Sequence, residues 1–137
     1  MKVFLDTNVV VDFSAEREPF YEGAATIIDM AYHKETSLII SSLTIVNMAY
    51  VMRKVKTREQ VTEKIKQLMA LCIVSPINRQ VINDAVVSHP SDFEDAVQYF
   101  SALQAGADLI ITRDATGFKE FGLPVMTPAE FLARCEE

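Results

Sequence analysis

Three aspartates far apart in the chain, Asp6, Asp95 and Asp114, stand where apolar segments give way to polar turns or helix starts. Asp6 closes the apolar run Val3-Phe4-Leu5 and opens the group Asp6-Thr7-Asn8, and Asp114 follows Leu109-Ile110-Ile111-Thr112-Arg113 in the same way. In an open α/β sheet, ligands sit in the crevice beyond the carboxyl ends of the strands, so acids at these two strand ends converge there. Asp92, Glu94 and Asp95, opening a helix, would complete the cluster. Ionised carboxylates gathered without a cation repel one another by about 4 kcal/mol per pair at ~4 Å and an effective dielectric near ~20. A set of oxygen ligands with no thiol or imidazole is what Mg2+ or Mn2+ prefers. Such an ion orients and acidifies water and offsets charge developing on a phosphate, which suits phosphodiester hydrolysis.

Each of these residues also has a purely structural use. Asp6 can cap a helix through the Thr7-Asn8 turn, Asp114 can serve a turn or cap, and Asp92 and Glu94 suit the positive end of a helix dipole. Asp95 is explained less well that way, because a first-turn acid needs no particular face. On its helix the apolar positions Phe93, Ala96, Val97, Phe100 and Leu103 mark the expected core face. Asp92, Asp95 and Tyr99 form a neighbouring stripe, and Glu94, Gln98 and Ser101 a solvated one. Asn47 is an oddity within the apolar stretch Leu43 to Met52. Its amide needs partners, since unsatisfied groups cost roughly 1–3 kcal/mol, and either a local hydrogen bond or a place in the acidic crevice supplies them. Arg113, beside Asp114, is suited to pair with an acid or a phosphate.

The elements that must position these side chains follow from hydrophobic period. Lys2 to Leu5 reads as a buried strand, and Pro19 to Tyr32 as an amphipathic helix with Phe20, Ala24, Ile27, Ile28 and Ala31 inward. Ser37 to Ile40 is a strand, Ser41 or Ser42 caps a helix over Leu43 to Lys54, and Thr57 caps another to about Leu71. A strand at Cys72 to Ser75, helices over Arg79 to Ser88 and Asp92 to Ala105, strands at Leu109 to Thr112 and Leu123 to Met126, and a helix opened by Pro128 complete the order. Strands alternating with helices predict an α/β fold, a three-layer α/β/α sandwich with a central, mostly parallel sheet.

With 137 residues, half of them hydrophobic, the chain has the size of one domain spanning 1–137. No apolar stretch approaches the ~20 residues of a membrane span, and Asp6 and Asp12 interrupt any apolar export signal, so a cytoplasmic protein is expected. Cys72 and Cys135 lack the close spacings of zinc or redox motifs; Cys72 is expected in the core and Cys135 in a frayed tail. A formal net charge of −6 argues against nucleic-acid binding through an overall positive field. The one dense basic run is Arg53-Lys54-Val55-Lys56-Thr57-Arg58, which suits either a solvated helix end or a steering patch. The second acid of a haloacid-dehalogenase Asp-x-Asp motif is replaced by Asn8, a receiver domain's acid after the third strand by Pro76, and no glycine fingerprint of a dinucleotide fold is present.

Taken together and in this order, these residues resemble the PIN-domain ribonucleases, a family that includes toxins of bacterial toxin–antitoxin pairs. Phe4-Leu5-Asp6-Thr7-Asn8-Val9 resembles the first motif, Asp92-Phe93-Glu94-Asp95-Ala96 the third, and Ile110-Ile111-Thr112-Arg113-Asp114 with Phe118 the fourth. The resemblance covers nearly the whole chain. It implies a Mg2+- or Mn2+-dependent ribonuclease in which Asp6, Asp95 and Asp114 are metal ligands, with Asn47 close by. Thr7, Asn8 and Asp92 are implied contributors, and Arg113, Arg53 and Lys54 would steer RNA. It also implies an antitoxin partner and a homodimer. The chain departs from the family pattern at Asn47, where a glutamate is usual, and at Gly117, where a second acid often precedes the phenylalanine. Those departures leave, as the alternative, a PIN-like module that binds RNA or a protein partner without cleavage.

Overall fold

The computed structural model describes residues 1–136. Five strands, β1 (Lys2–Leu5), β2 (Ser37–Ser41), β3 (Cys72–Ser75), β4 (Leu109–Ile111) and β5 (Val125–Met126), form one sheet in the order β3-β2-β1-β4-β5. All four pairings are parallel, and Phe4 lies opposite both Ile39 and Ile110. Strands covered on both faces need apolar residues at successive positions, which is why Val3-Phe4-Leu5, Leu38-Ile39-Ile40 and Leu109-Ile110-Ile111 read as continuous runs. All nine of these side chains are buried.

Odd and even positions feed different layers. Val3, Leu5, Leu38, Ile40, Leu109 and Ile111 pack beneath α1 (Thr7–Ser14), α2 (Tyr21–Tyr32), α3 (Ser42–Met52), α4 (Arg58–Leu71) and α7 (Pro128–Cys135), where Ile27, Met48, Met52 and Leu68 are fully enclosed. Phe4, Ile39 and Ile110 face the other way, towards α6 (Phe93–Gln104) and Phe118, and α5 (Arg79–Val87) packs on α6 through Val81 and Ala85. Each large apolar side chain so enclosed contributes on the order of 1.5–3 kcal/mol. The result is the expected three-layer α/β/α sandwich. Among the described residues no helix is long and apolar enough to cross a membrane.

The winding of the sheet decides where a ligand goes. The chain runs outward from β1 through β2 to β3, then returns to the other side of β1 as β4. Successive connections therefore diverge between β1 and β4, and the crevice at their carboxyl ends is the switch point that open α/β sheets use for binding.

Several local expectations are corrected. The segment after Asp6 is not a turn but the helix α1, in which residues 9–14 are all buried. Val9, Val10 and Val11 are weak helix formers, and burial against the sheet overrides that propensity. The core face of α6 is rotated from the one expected: Phe93 and Leu103 are each 48% exposed, while Gln98 and Ser101 are fully buried. These polar residues turn inward because partners await them. The Ser101 hydroxyl lies 2.8 Å from Ser75 Oγ, and Gln98 enters the hydroxyl cluster described below. Phe20 precedes α2 and is exposed, and α3 stops at Met52. Ala115–Phe118 forms a short 3-10 turn that hydrophobic period does not reveal. Cys72 is buried as expected, whereas Cys135 ends α7 with its thiol exposed.

Candidate active site

Asp6 is placed by the strand before it and the helix after it. Its backbone N–H donates to the Ile111 carbonyl at 2.9 Å, locking the end of β1 to the end of β4, and its carboxylate caps α1 by accepting from Thr7 N at 2.8 Å. The second carboxylate oxygen accepts from the Thr112 hydroxyl at 2.8 Å. Thr112 Oγ1 in turn accepts from Asn8 Nδ2 at 3.1 Å and from Asp114 N at 3.2 Å, while Asn8 Oδ1 accepts from Arg113 N at 3.2 Å. Thr112 and Asn8 thus tie the two strand ends together around Asp6.

Beneath this junction lies a buried hydroxyl–amide cluster. Gln98 Nε2 donates to Thr7 Oγ1 at 2.7 Å and to Thr44 Oγ1 at 2.8 Å, and Gln98 Oε1 accepts from Ser41 Oγ at 2.6 Å. Every member being satisfied, the cluster fixes the mutual positions of α1, α3 and α6 instead of weakening the core. Nothing in the helical pattern of α6 singled out Gln98; its signal would have been the matching hydroxyls at Thr7, Ser41 and Thr44.

Above it opens a cavity of about 340 Å³ lined by Asp6, Thr7, Asn8, Val11, Arg17, Val51, Asp92, Glu94 and Asp95. Asp92 caps α6 by accepting from Asp95 N at 3.0 Å, and Glu94 and Asp95 follow in the first turn. Asp114 caps the 3-10 turn through Thr116 N and lies near enough to repel both Asp6 and Asp95. Burial lifts the Asp6 carboxyl above its usual range; hydrogen bonds from Thr112 and Thr7 oppose the rise, and Glu94 and Asp114 add to it. Asp95 is pushed up to about 6, first by burial and then by the charges of Asp6, Asp92, Glu94 and Asp114. Burial and mutual repulsion therefore outweigh the positive ends of α1 and α6.

Glu94 is exposed, as expected, and also lines this cavity. Asn47 reaches it indirectly, donating from Nδ2 to Glu94 Oε1 at 3.3 Å. Arg113 has protein partners: its Nε donates to Asp12 Oδ2 at 2.6 Å and its guanidinium stacks 3.9 Å over the Phe20 ring. Arg53 and Lys54 sit over the Tyr50 ring and are not among the residues lining the cavity. Asp12 and Arg17 were not anticipated. Asp12 lies within an apolar run and is almost wholly buried, and no helix had been expected there to bring Arg17 back beside it.

The donor chemistry suits a hard divalent cation. Among the described residues no Lys, Arg or His forms an ion pair with Asp6, Asp92, Glu94, Asp95 or Asp114. The charge that raises Asp6 and Asp95 is left unneutralised, and every candidate ligand is an oxygen. Among the described residues no three acidic, His or Cys side chains already converge on a common point.

Comparison with known proteins agrees with this architecture. Ribonuclease VapC1 of Aquifex aeolicus is 28% identical over 138 residues, covering 97% of this chain and 94% of that protein. The structure of VapBC-1 from nontypeable Haemophilus influenzae superposes with a TM-score of 0.70 at 19% identity, over 94% of this chain and 99% of that one. A toxin–antitoxin complex from Klebsiella pneumoniae gives 0.68 at 19% identity, over 92% and 97% respectively. The family model described as PIN domain matches residues 2–116, a span that runs through both strand ends of the crevice and through the acids of α6. The chain belongs to the PIN domain family.

Proposed function

We propose that this protein is a Mg2+- or Mn2+-dependent ribonuclease. The observation that carries the proposal is the set of unneutralised carboxylates at the β1/β4 switch point, in a chain whose family includes a ribonuclease relative covering nearly its full length. Asp6, Asp95 and Asp114 would hold the ion, with Glu94 and Asp92 at its margin. When bound, the ion supplies Lewis acidity towards water and a scissile phosphate. The chain's own residues do the positioning. Thr112 and Thr7 hold the two Asp6 oxygens, Asn8 braces Thr112 and the Arg113 backbone, and the Gln98 cluster keeps α6, and with it Asp95, against β1. Arg113 then acts on substrate indirectly, by its backbone tie to Asn8.

The solved relatives include toxin–antitoxin assemblies, which supports a toxin role here with an antitoxin as protein partner; a homodimer is part of the proposal on the family resemblance alone. The second reading, a binding module without cleavage, rests on Asn47, whose neutral amide faces Glu94 where the family pattern has an acid.

Cleavage of RNA followed on gels with Mg2+, Mn2+ or chelator, beside Asp6→Asn, tests the proposal. Asparagine caps a helix as well as aspartate does, and it removes a charge that burial disfavours. The variant should keep its fold and thermal stability while cleavage falls to the chelator background. Undiminished activity in Asp6→Asn would take Asp6 out of the mechanism. RNA binding without any metal-stimulated cleavage by the native chain would favour the second reading.

A further inference from the structure

The acidic cavity has one basic side chain among its described lining residues, Arg17, on the turn that follows α1. Its position is fixed from two directions. The backbone N–H donates to the Asp12 carbonyl at 3.0 Å, while Nε and Nη2 meet Asp12 Oδ1 at 3.0 and 2.9 Å. Asp12 does not need this partner for neutralisation. Arg113 already supplies a two-pronged contact, 2.6 Å from Nε to Oδ2 and 3.3 Å from Nη2 to Oδ1, and is packed on Phe20. One buried carboxylate thus faces two guanidinium groups, and the trio carries one net positive charge. Of the two arginines, Arg113 is the more enclosed, at 31% side-chain exposure against 42% for Arg17.

The surplus charge therefore sits on Arg17, at the mouth of the cavity, with Nη1 making no hydrogen bond among the described residues. The neighbouring Glu16 does not cancel it, since that carboxylate is turned to Lys56 at 4.0 Å. A guanidinium already held rigid loses little freedom on binding, and its planar fork matches a phosphate. We infer that Arg17 receives a backbone phosphate of the RNA strand at the edge of the acidic cavity. The inference rests on the ribonuclease reading and adds a substrate contact to it. It also addresses the difficulty raised by the net charge of −6: the polyanion is met by one preorganised cation next to the metal-binding acids, with no need of a broad basic face.

The test uses the full chain and a short fluorescein-labelled single-stranded RNA of mixed sequence. Anisotropy in chelator gives affinity as a function of salt, and single-turnover cleavage with Mg2+ gives kcat/KM over the same salt range. Arg17→Ala should bind roughly tenfold or more weakly, lower kcat/KM similarly, and flatten the slope of log affinity against log salt by about 0.7, the loss of one single-strand phosphate contact. Arg17→Lys, which keeps the charge without the fork, should recover most of the slope and only part of the affinity. Thermal unfolding should hold near the native value, because Arg113 still neutralises Asp12. Arg17→Ala that matches the native chain in affinity and salt slope would overturn this inference and leave the ribonuclease reading intact. A native chain that neither binds nor cuts RNA at low salt would overturn that reading, and this inference with it.

Discussion

Replacing Gly117 by alanine should disable the site without removing any of its acids. A Cβ built on Gly117 falls 1.7 Å from Asp95 Oδ2 and 2.7 Å from its Cγ, but 3.4 Å from its Cβ. The last distance is tolerable and the first two are not. Turning the carboxylate about the Cβ–Cγ bond moves the oxygen but leaves Cγ where it is, so the clash is relieved only by a change of χ1 that swings the whole carboxylate away. Displacements of about 1 Å at a reacting centre cost on the order of a hundredfold in rate, so Gly117→Ala should lower metal-stimulated RNA cleavage by about that factor. Gly117 does not use a left-handed backbone conformation, unlike Gly106 at φ +77°. Alanine there should therefore leave stability unchanged or raise it by up to ~1 kcal/mol through the unfolded state. Parallel measurements of cleavage, Mn2+ binding by calorimetry and thermal unfolding separate the two effects. Native cleavage and native Mn2+ affinity in a well-folded Gly117→Ala would refute the reasoning, showing that Asp95 does not work from its place against Gly117.

Two further outcomes follow from the electrostatics. Asp95 titrates near 6 in the fold against 3.8 as a free side chain, so between those values the folded state holds more protons than the unfolded one, and stability should fall as pH rises through that window. Because Asp95 is only partly buried, the loss is on the order of 1 kcal/mol after screening; unfolding midpoints in chelator measure it, added Mg2+ should abolish it, and a metal-free protein that gains stability from pH about 4 to 6 would contradict it. Asn47→Glu sets two carboxylates against each other where the amide now meets Glu94 at 3.3 Å. Without metal the variant should lose ~1 kcal/mol of stability and with Mg2+ recover it while binding the ion more tightly, and calorimetry showing no gain in affinity would place residue 47 outside the ion's reach.

What could be read from the chain before its structure was known divides along physical lines. Strands buried on both faces announce themselves as uninterrupted apolar runs, and β1, β2 and β4 stood out for that reason. Helices with strong caps were equally plain: Thr57 with Gln60 and Thr127 with Glu130 form full capping boxes at the expected starts of α4 and α7. The failures share one cause, burial decided by partners distant in sequence. Val9-Val10-Val11 has the local preference of a strand and becomes helical because the sheet and α2 enclose it. Gln98 and Ser101 turn inward because Thr7, Ser41, Thr44 and Ser75 receive them, while Glu94 of the same expected stripe stays exposed. Asp6, Asp92 and Asp114 could be named as candidate site residues because strand ends and helix starts are local features. The pairing of Asp12 with Arg113 could not, since it depends on the return of β4 beside β1, and its pairing with Arg17 depends on the helix that burial imposes on Val9-Val10-Val11.

Capping and chemistry, weighed as rival uses of these acids, are compatible in the structure. Asp6 caps α1, Asp92 caps α6 and Asp114 caps the 3-10 turn, yet Asp6 and Asp92 line one cavity and Asp114 lies near enough to repel Asp6 and Asp95. The topology makes that coincidence necessary. In a parallel sheet every strand that leads into a helix does so at the same edge, so the caps of those helices gather where the strands end, and at the switch point they face one another. Capping accounts for the acids singly; it does not account for their being placed where their charges help to raise Asp6 and Asp95, at a cost to the metal-free fold. Asp95 makes the difference plain, for it caps nothing, lies over Gly117 and is the residue pushed up to about 6. If Asp95 served the fold alone, Asp95→Asn would relieve repulsion at no loss: it should raise metal-free stability under either view, but only under the ribonuclease proposal should it also abolish the stabilisation conferred by Mg2+ or Mn2+.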